Sequence, residues 1–248
     1  MQTPRVVVWF SCGAASAVAA KLAMDKWSST HEVWVVYCDT SANEHPDNAR
    51  FLLDVGAWIK NPVQIIRSSK FKMVEEVFAA RRFMGNRRGA PCTVELKKIP
   101  RFRFQRGDDI NIFGFTADEG NRIEKFKNGN PEMELRWPLK EDGISKRDCY
   151  RILTGAGIAL PAMYLLGYKN NNCIGCVKAT SPAYWQKVKA DFPAIFKRRA
   201  RQSRDIGARL TRIKGKRIFL DELPEGDYGR YKAEDISCGP ECGTNGKL

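Results

Sequence analysis

The fold of this chain is decided by one run of residues, Val6-Val7-Val8-Trp9-Phe10-Ser11-Cys12-Gly13-Ala14-Ala15-Ser16. Its first five residues are continuously apolar, which is typical of a strand that is buried on both faces of a parallel sheet. Small and apolar residues then continue to Met24, as they do in a packed helix. The run therefore predicts a buried strand, a tight turn of small residues and a helix.

The alternation of strand and helix continues along the chain. Further strands are predicted at 33–37, 63–66 and 110–115, with helices at 48–60, 72–83 and 95–105. This pattern predicts an α/β fold, a doubly wound and mostly parallel sheet with helices on both faces. Beyond residue 138 the pattern is helical, with helices predicted at 146–156 and 161–168. We expect an α/β domain at 1–137, a helical portion at 138–236 packed on the same core, and a cysteine-rich tail at 237–248.

Composition narrows the classes of function. A chain of 248 residues can bury one principal core. No stretch approaches the roughly 20 apolar residues that span a membrane, and the first residues lack the apolar segment of a signal peptide. We therefore expect a cytoplasmic protein with no membrane partner. In that reducing compartment the eight cysteines are expected to act as thiolates or metal ligands, while two histidines are too few for a histidine-rich metal site.

The charge points to polyanionic partners. The chain has 42 basic and 28 acidic residues, which gives a net charge of +14, and such an excess attracts nucleotides or nucleic acid. Much of it is local, on a predicted helix and the turn after it, namely Lys197, Arg198, Arg199, Arg201, Arg204, Arg209, Arg212, Lys214, Lys216 and Arg217. The alternative interpretation of this basic segment is a solvated helix face.

The turn at 11–16 is a candidate anion site. Small side chains between a buried strand and a helix leave backbone N–H groups accessible at a helix N-terminus, where phosphate or sulfate is favoured. A tight packing turn is the other interpretation. Asp39-Thr40 and residues 116–122 follow two other predicted strands, and ligands of parallel sheets bind at these carboxyl ends.

Residues 11–16 resemble the pyrophosphate-binding loop of the adenine nucleotide α-hydrolase-like superfamily, usually Ser-Gly-Gly-x-Asp-Ser, in which Cys12 here replaces a glycine and Ala15 the aspartate. The superfamily includes ATP pyrophosphatases and the phosphoadenylylsulfate (PAPS) reductase family. The resemblance to PAPS reductases continues in order through Asp39-Thr40 with Glu44, the segment Cys92 to Lys97, Gly114 to Arg122, Pro138-Leu139, Leu160-Pro161, Tyr164, Gly167-Tyr168, and Cys173-Ile174-Gly175-Cys176. The chain is thereby identified as resembling an iron–sulfur-type member of that family.

The resemblance implies a set of substrate contacts and a catalytic thiol. An adenine nucleotide or sulfonucleotide is expected to contact Ser11, Cys12, Gly13, Ala14, Ser16, Asp39, Thr40, Lys97, Glu119 and Arg122. Glu241-Cys242-Gly243 is similar to the Glu-Cys-Gly segment of sulfonucleotide reductases, whose cysteine attacks the sulfonyl sulfur before reduced thioredoxin resolves the product. Cys242 is therefore the expected nucleophile, and a metal ligand is the alternative role.

The cysteine spacing predicts a metal centre. Cys173 and Cys176 can bind one soft metal or cluster from a single turn, and the alternative is a pair of reduced thiols. The resemblance implies a 4Fe-4S cluster that Cys92 also binds, with Cys238 as the expected fourth ligand. Cys242, Cys12 or an open iron could take the fourth position instead. Four thiolates would equally suit zinc.

Three functions remain open. The first is reduction of a sulfonucleotide by a thiol- and iron–sulfur-dependent enzyme. The second is an ATP-dependent sulfur transferase acting on tRNA or DNA, which the charge favours and the missing loop aspartate disfavours. The third is an inactive accessory protein that binds nucleotide or nucleic acid.

Overall fold

The computed structural model describes residues 3–85 and 89–229. Its main sheet has five strands, all parallel, in the order β3-β2-β1-β4-β5. The strands are β1 (Arg5–Phe10), β2 (Glu32–Cys38), β3 (Gln64–Ile66), β4 (Ile110–Phe113) and β5 (Glu134–Arg136). The predicted α/β fold with a parallel sheet is confirmed.

Eleven helices lie in the described part of the chain. They are α1 (Ala14–Trp27), α2 (Asn48–Trp58), α3 (Val74–Arg81), α4 (Pro91–Thr93), α5 (Ile99–Phe104), α6 (Gly120–Asn128), α7 (Pro138–Glu141), α8 (Lys146–Gly155), α9 (Ala162–Leu165), α10 (Pro182–Asp191) and α11 (Pro193–Ile206). A π-helical turn, Val94–Lys98, joins α4 to α5.

Both faces of the sheet are covered, as the continuous apolar run of β1 requires. Val6, Val8 and Phe10 point to one face, where they pack with α1, α2 and α8. Val7 and Trp9 point to the other face, where they pack with side chains of β4 and α6. Since successive side chains of a strand alternate between faces, a strand that is apolar at every position belongs in the centre of such a sheet.

A second apolar cluster lies beside the sheet. It combines residues of α3 and the 90–96 segment with residues between 163 and 223, and it includes the fully buried Trp185. Tyr184 is also buried, so Tyr184 and Trp185 both pack in the core. Cys92 and Cys176 belong to this cluster, so two of the predicted metal ligands pack within it.

A buried ion pair joins the first strand to the fourth. The Arg5 guanidinium donates two hydrogen bonds to the Asp109 carboxylate, at 2.8 and 2.7 Å, and their side chains are 6% and 0% exposed. The hydrogen bonds that Arg5 donates to Asp109 raise the pKa of Arg5, against the effect of burial. The bidentate geometry offsets the desolvation of both charges.

Several predicted elements differ from the structure. The strand β5 was not predicted, because it has three residues and no apolar run. The helix predicted at 161–168 shortens to α9, since Pro161 precedes it and Gly167 has a left-handed φ of 83°. The helix of the basic segment ends at Ile206, and an antiparallel hairpin follows, β6 (Thr211–Ile213) and β7 (Lys216–Ile218), joined through left-handed Lys214 and Gly215.

None of the helices in the described residues combines the length and apolar character needed to cross a membrane.

Candidate functional site

The 11–16 loop joins the end of β1 to the N-terminus of α1. Gly13 is the N-cap of α1 and has no side chain that could cap the helix. The Ser16 hydroxyl donates to the Gly13 carbonyl at 2.9 Å and accepts from the Ser11 N–H at 3.1 Å. These bonds fold the loop into a compact turn at a helix N-terminus, which is the geometry that favours an anion.

Cys12 is the strained residue of the loop. It has a left-handed φ of 55°, which is uncommon outside glycine, and its side chain is buried. Burial raises the pKa of the Cys12 thiol well above its ordinary value, and the negative charges of Glu44 and Asp39 act in the same direction, against Lys97. The Cys12 side chain is therefore a neutral thiol buried within the loop.

A polar network supports the loop from behind. The Asn171 amide donates to the Cys12 carbonyl at 2.6 Å and to the Asn48 side chain at 2.7 Å. Asn48 donates in turn to buried Glu44 at 2.8 Å. The network thus joins the loop after β1 to the start of α2 and to the segment that carries the Cys-x-x-Cys motif.

Glu44 organises the loop after β2. Its carboxylate accepts hydrogen bonds from the Tyr37 hydroxyl at 2.8 Å and from the Thr40 hydroxyl. Asp39 is more open and accepts from the Ser41 hydroxyl at 2.6 Å and from Arg67 at 2.8 Å. Burial works against ionisation of Asp39, but the hydrogen bonds from Ser41 and Arg67 outweigh it and lower the pKa. Asp39 is therefore a partly exposed carboxylate at the end of β2.

Lys97 lies in the π-helical turn and is buried. Its charge acts on the Cys12 thiol, so the cation lies near the 11–16 loop. Its carbonyl accepts from the Cys38 thiol at 3.6 Å, which fixes the turn against the end of β2. Single π-helical turns occur frequently at functional sites, and helical periodicity alone does not reveal them.

Residues 116–122 form a capped turn after β4. Thr116 donates to Asp118 at 2.6 Å, and its N–H donates to Glu119 at 2.9 Å. Glu119 also pairs with Arg122, whose guanidinium lies over the Phe115 ring at 4.4 Å. Glu119 is thus engaged in capping the turn and orienting Arg122.

Lys146 is a site residue that the sequence did not indicate. Its amine donates to the Asn170 side chain at 2.7 Å and lies 5.6 Å from the Tyr164 ring centre. The Tyr164 hydroxyl accepts from the Ala14 N–H at 3.3 Å. Burial lowers the pKa of Lys146, against the charges of Glu119 and Asp118. Lys146 therefore lies between the 11–16 loop and the capped turn. The sequence placed it only at the start of a predicted helix.

Three predicted metal ligands line one pocket. Cys92, Cys173 and Cys176 are 8%, 8% and 7% exposed. With them the pocket is lined by Val74, Phe78, Ala90, Gly175, Val177, Lys178 and Arg199. Gly175 has a left-handed φ of 65°, which lets the Cys-x-x-Cys segment turn back on itself. The donor set is sulfur and suits a soft metal.

The thiols are gathered but not packed around one point. Within residues 3–85 and 89–229, no three histidine, cysteine, aspartate or glutamate side chains are arranged to hold a metal ion. Cys238, predicted as the fourth ligand, and Cys242, predicted as the nucleophile, lie outside the described residues. The metal centre and the nucleophile therefore stay predictions.

The basic segment is largely exposed, with one correction. Of its ten basic residues, Lys197, Arg198, Arg201, Arg204, Arg209, Arg212, Lys214 and Lys216 are exposed and Arg217 is half-buried. Arg199 is instead 2% exposed and lines the cysteine pocket. It was wrongly grouped with a solvent-facing cluster, because the side of α11 on which it lies depends on the packing of α3.

Two buried cysteines are expected to resist alkylation. Burial raises the pKa of the Cys149 thiol to about 12, and burial likewise raises that of Cys12. Because the thiolate is the reactive form, iodoacetamide at mildly alkaline pH should leave both unmodified in the native protein. Peptide mass spectrometry measures the labelling, with guanidinium-unfolded protein as the control in which both react. Rapid labelling of Cys12 in folded protein would contradict the assigned neutral state.

Comparison with known proteins finds a structural neighbour of low identity but no relative by sequence. No family model matches the chain, and no curated protein matches it. One solved structure, the crystal structure of phosphoadenylyl-sulfate (PAPS) reductase from Candida auris in a phosphate complex, is 14% identical to this chain. The match covers 70% of this chain and 82% of that one, with a TM-score of 0.45.

Proposed function

We propose that this chain is an enzyme that binds an adenine sulfonucleotide at the 11–16 loop and reduces it by thiol- and iron–sulfur-dependent chemistry. The observation that carries the proposal is the connection between the 11–16 loop and the three-cysteine pocket. Two short segments each contribute residues to the loop and to the pocket. A nucleotide bound at the loop would therefore be held beside the thiols of the pocket.

The first connecting segment is 171–176. Asn171 donates to the Cys12 carbonyl, and Cys173, two residues later, lines the pocket. The N–H of Ile174, the residue after Cys173, donates to the carbonyl of Asn43 in the loop after β2 at 2.8 Å. This segment therefore fixes the Cys-x-x-Cys turn relative to the loops after β1 and β2.

The second connecting segment is 92–97. Cys92 lines the pocket, and Lys97 acts electrostatically on Cys12. The π-helical turn between them brings one end of the segment to the sulfur pocket and the other to the anion loop. Lys97 is thus placed to stabilise charge on a bound sulfonucleotide next to the thiols.

Charge complementarity supports an anionic substrate. Lys97 acts electrostatically on Cys12, Arg122 pairs with Glu119 in the capped turn after β4, and the charge of Glu119 also acts on Lys146. We assign these three cations to the phosphate and sulfate groups. Glu119 orients Arg122 and so acts on the substrate through it. Ser11, Gly13, Ala14 and Ser16 supply the anion loop, while Asp39 and Thr40 lie at the end of β2, on the nucleoside side.

The thiol donors fit a metal centre. Cys92, Cys173 and Cys176 would hold a 4Fe-4S cluster, with Cys238 as the fourth ligand. When bound, the cluster would supply a redox-active, thiolate-ligated centre. A cluster takes one thiolate per iron, so it tolerates thiols that surround a pocket without converging on one ion. Zinc is the alternative metal.

The reaction step is assigned to Cys242. Its thiolate attacks the sulfonyl sulfur, the sulfur–oxygen bond to the nucleotide phosphate breaks, and the adenine nucleotide leaves with that electron pair. The resulting enzyme S-sulfonate is then reduced by a dithiol such as that of thioredoxin, which releases sulfite and becomes a disulfide. A thiolate is needed for the attack.

A second candidate function is sulfur transfer to tRNA or DNA with ATP as the activating nucleotide. The exposed basic residues of α11 and the β6–β7 hairpin favour it, because a polyanion would lie along them. Ala15 in place of the loop aspartate weighs against it. Binding of labelled tRNA or duplex DNA that weakens steeply with salt would support this candidate.

The deciding experiment measures sulfite release. Anaerobically purified protein is mixed with adenylylsulfate or its 3′-phosphorylated form and a thioredoxin reducing system. We expect sulfite with at least one sulfonucleotide, and a loss of at least about 100-fold in Lys97→Ala, in line with removal of a transition-state charge contact. Arg209→Ala, an exposed arginine of the basic segment, is the matched control. If the protein binds nucleotide but produces neither sulfite nor thiolated nucleic acid, it is the inactive accessory protein of the third hypothesis.

A further inference from the structure

Arg199 is a buried cation on the wall of the three-cysteine pocket. Its side chain is 2% exposed, it lines the pocket together with Cys92, Cys173 and Cys176, and its guanidinium lies 5.3 Å from the centre of the Phe78 ring. A buried guanidinium carries a large desolvation cost unless negative charge and hydrogen bonds compensate it.

The positive charge of Arg199 is only partly compensated within the described residues. The Glu75 carboxylate oxygen Oε1 lies 3.3 Å from Arg199 and also 3.3 Å from Arg198. One negative charge therefore serves two guanidiniums. Gln202, a neutral side chain, accepts a hydrogen bond from Arg199 at 3.2 Å. Nε of Arg199 has no hydrogen-bond acceptor in the part of the chain that the structure describes.

The pocket offers the missing anion once its cysteines bind metal. Thiols must lose their protons to act as ligands, and the thiolates of the proposed centre outweigh the positive charge of the metal, so the centre is negative. The Arg199 guanidinium offsets part of that charge. Hydrogen bonds to ligand sulfur also tune and stabilise such centres.

We infer that Arg199 is the charge-compensating residue of the three-cysteine pocket, with its Nε donating to a sulfur of the thiolate-bound metal centre. The inference rests on the metal centre of the proposed function. It assigns Arg199 a positioning role toward the metal and not contact with the nucleotide.

Cobalt(II) is the probe, because thiolate coordination gives it a distinct charge-transfer absorption. The metal-free full chain is titrated with Co²⁺ under anaerobic reducing conditions, and affinity is fixed by competition with a chelator. Arg199→Gln should weaken Co²⁺ binding by about 10–100-fold, the usual effect of removing a partner of a metal ligand. Arg198→Gln is the matched control, since Arg198 pairs with the same Glu75 oxygen but is 55% exposed; it should bind as the wild type does.

A purely structural role makes a different prediction. If the Arg199–Glu75 pair only supports the packing of α11 on α3, then Glu75→Gln should weaken Co²⁺ binding as Arg199→Gln does. Charge compensation predicts that Glu75→Gln binds Co²⁺ as tightly as the wild type or more tightly, because Glu75 then no longer competes with the metal centre for the Arg199 guanidinium. This variant tests the inference even if Arg199→Gln does not fold, which circular dichroism would reveal.

The outcomes separate the two proposals. Wild-type protein without a thiolate–cobalt band would overturn both the metal centre and this inference. A band in the wild type with equal affinity in Arg199→Gln, or weaker binding in Glu75→Gln, would overturn the inference alone and leave the proposed function standing.

Discussion

Replacing Cys173 by serine is expected to remove most of the iron and acid-labile sulfide from anaerobically purified protein. Changes in the partners of metal ligands already cost about 10–100-fold in affinity, and loss of a ligand itself should exceed that. Cys92→Ser should have the same effect, although 81 positions separate the two residues in the chain, because both line one pocket. Iron, sulfide and zinc per chain are measured together with the visible spectrum.

The control for this experiment is Cys149→Ala. Cys149 is also fully buried, but it packs against the sheet and does not line the pocket, so its loss should leave the metal content unchanged. If the wild-type protein contains zinc in place of iron, the site is a zinc site and not a 4Fe-4S cluster. Full metal content in both serine variants would remove the three-cysteine pocket as the metal site.

A methyl group at position 114 is expected to destabilise the protein by about 3 kcal/mol, the upper range for overpacking. A Cβ built on Gly114 would lie 2.6 Å from the Ser16 backbone nitrogen and 2.7 Å from its Cα. Both are backbone atoms of α1, so no side-chain movement relieves the clash. Gly114→Ala should therefore push β4 away from the anion loop and weaken both folding and nucleotide binding.

The matched control is Gly120→Ala. Gly120 opens α6, and a Cβ there meets nothing within 4 Å in the described structure, so alanine should be neutral or slightly stabilising because of its higher helix propensity. Urea unfolding gives the free energies, and calorimetric titration with adenosine monophosphate gives the binding. Gly114→Ala with unchanged stability would show that the strand end and helix do not pack as closely as described.

Much of the fold followed from periodicity in the sequence. The apolar run of β1 and the small residues after it predicted the central strand and the helix α1, and the neighbouring β2 and α2 followed in the same way. The edge strand β5 could not be recognised, because three polar-flanked residues form a strand only when β4 lies beside them. The β6–β7 hairpin was missed for a related reason, since its charged residues read equally well as a helix end.

The site could be predicted where its residues form a recognisable sequence motif. The spacing of Cys173 and Cys176, with Cys92 from the resemblance, anticipated side chains that the fold brings to one pocket. Lys146, Asn171 and Arg199 were not assigned site roles, because their positions depend on contacts between distant segments. Arg199 shows the limit most clearly: its neighbours in sequence are solvent-exposed cations, and only packing of α11 on α3 separates it from them.

The order of strands in the sheet has a consequence for synthesis on the ribosome. The central strand β1 is made first, yet it obtains its second neighbour, β4, only after about one hundred further residues have been added, as the Arg5–Asp109 ion pair shows. Until then, the apolar residues of β1 have one open edge, which invites pairing with other chains. The nascent chain therefore passes through a stage in which its most apolar segment is open to such pairing, and slow translation between β3 and β4 would prolong that exposure.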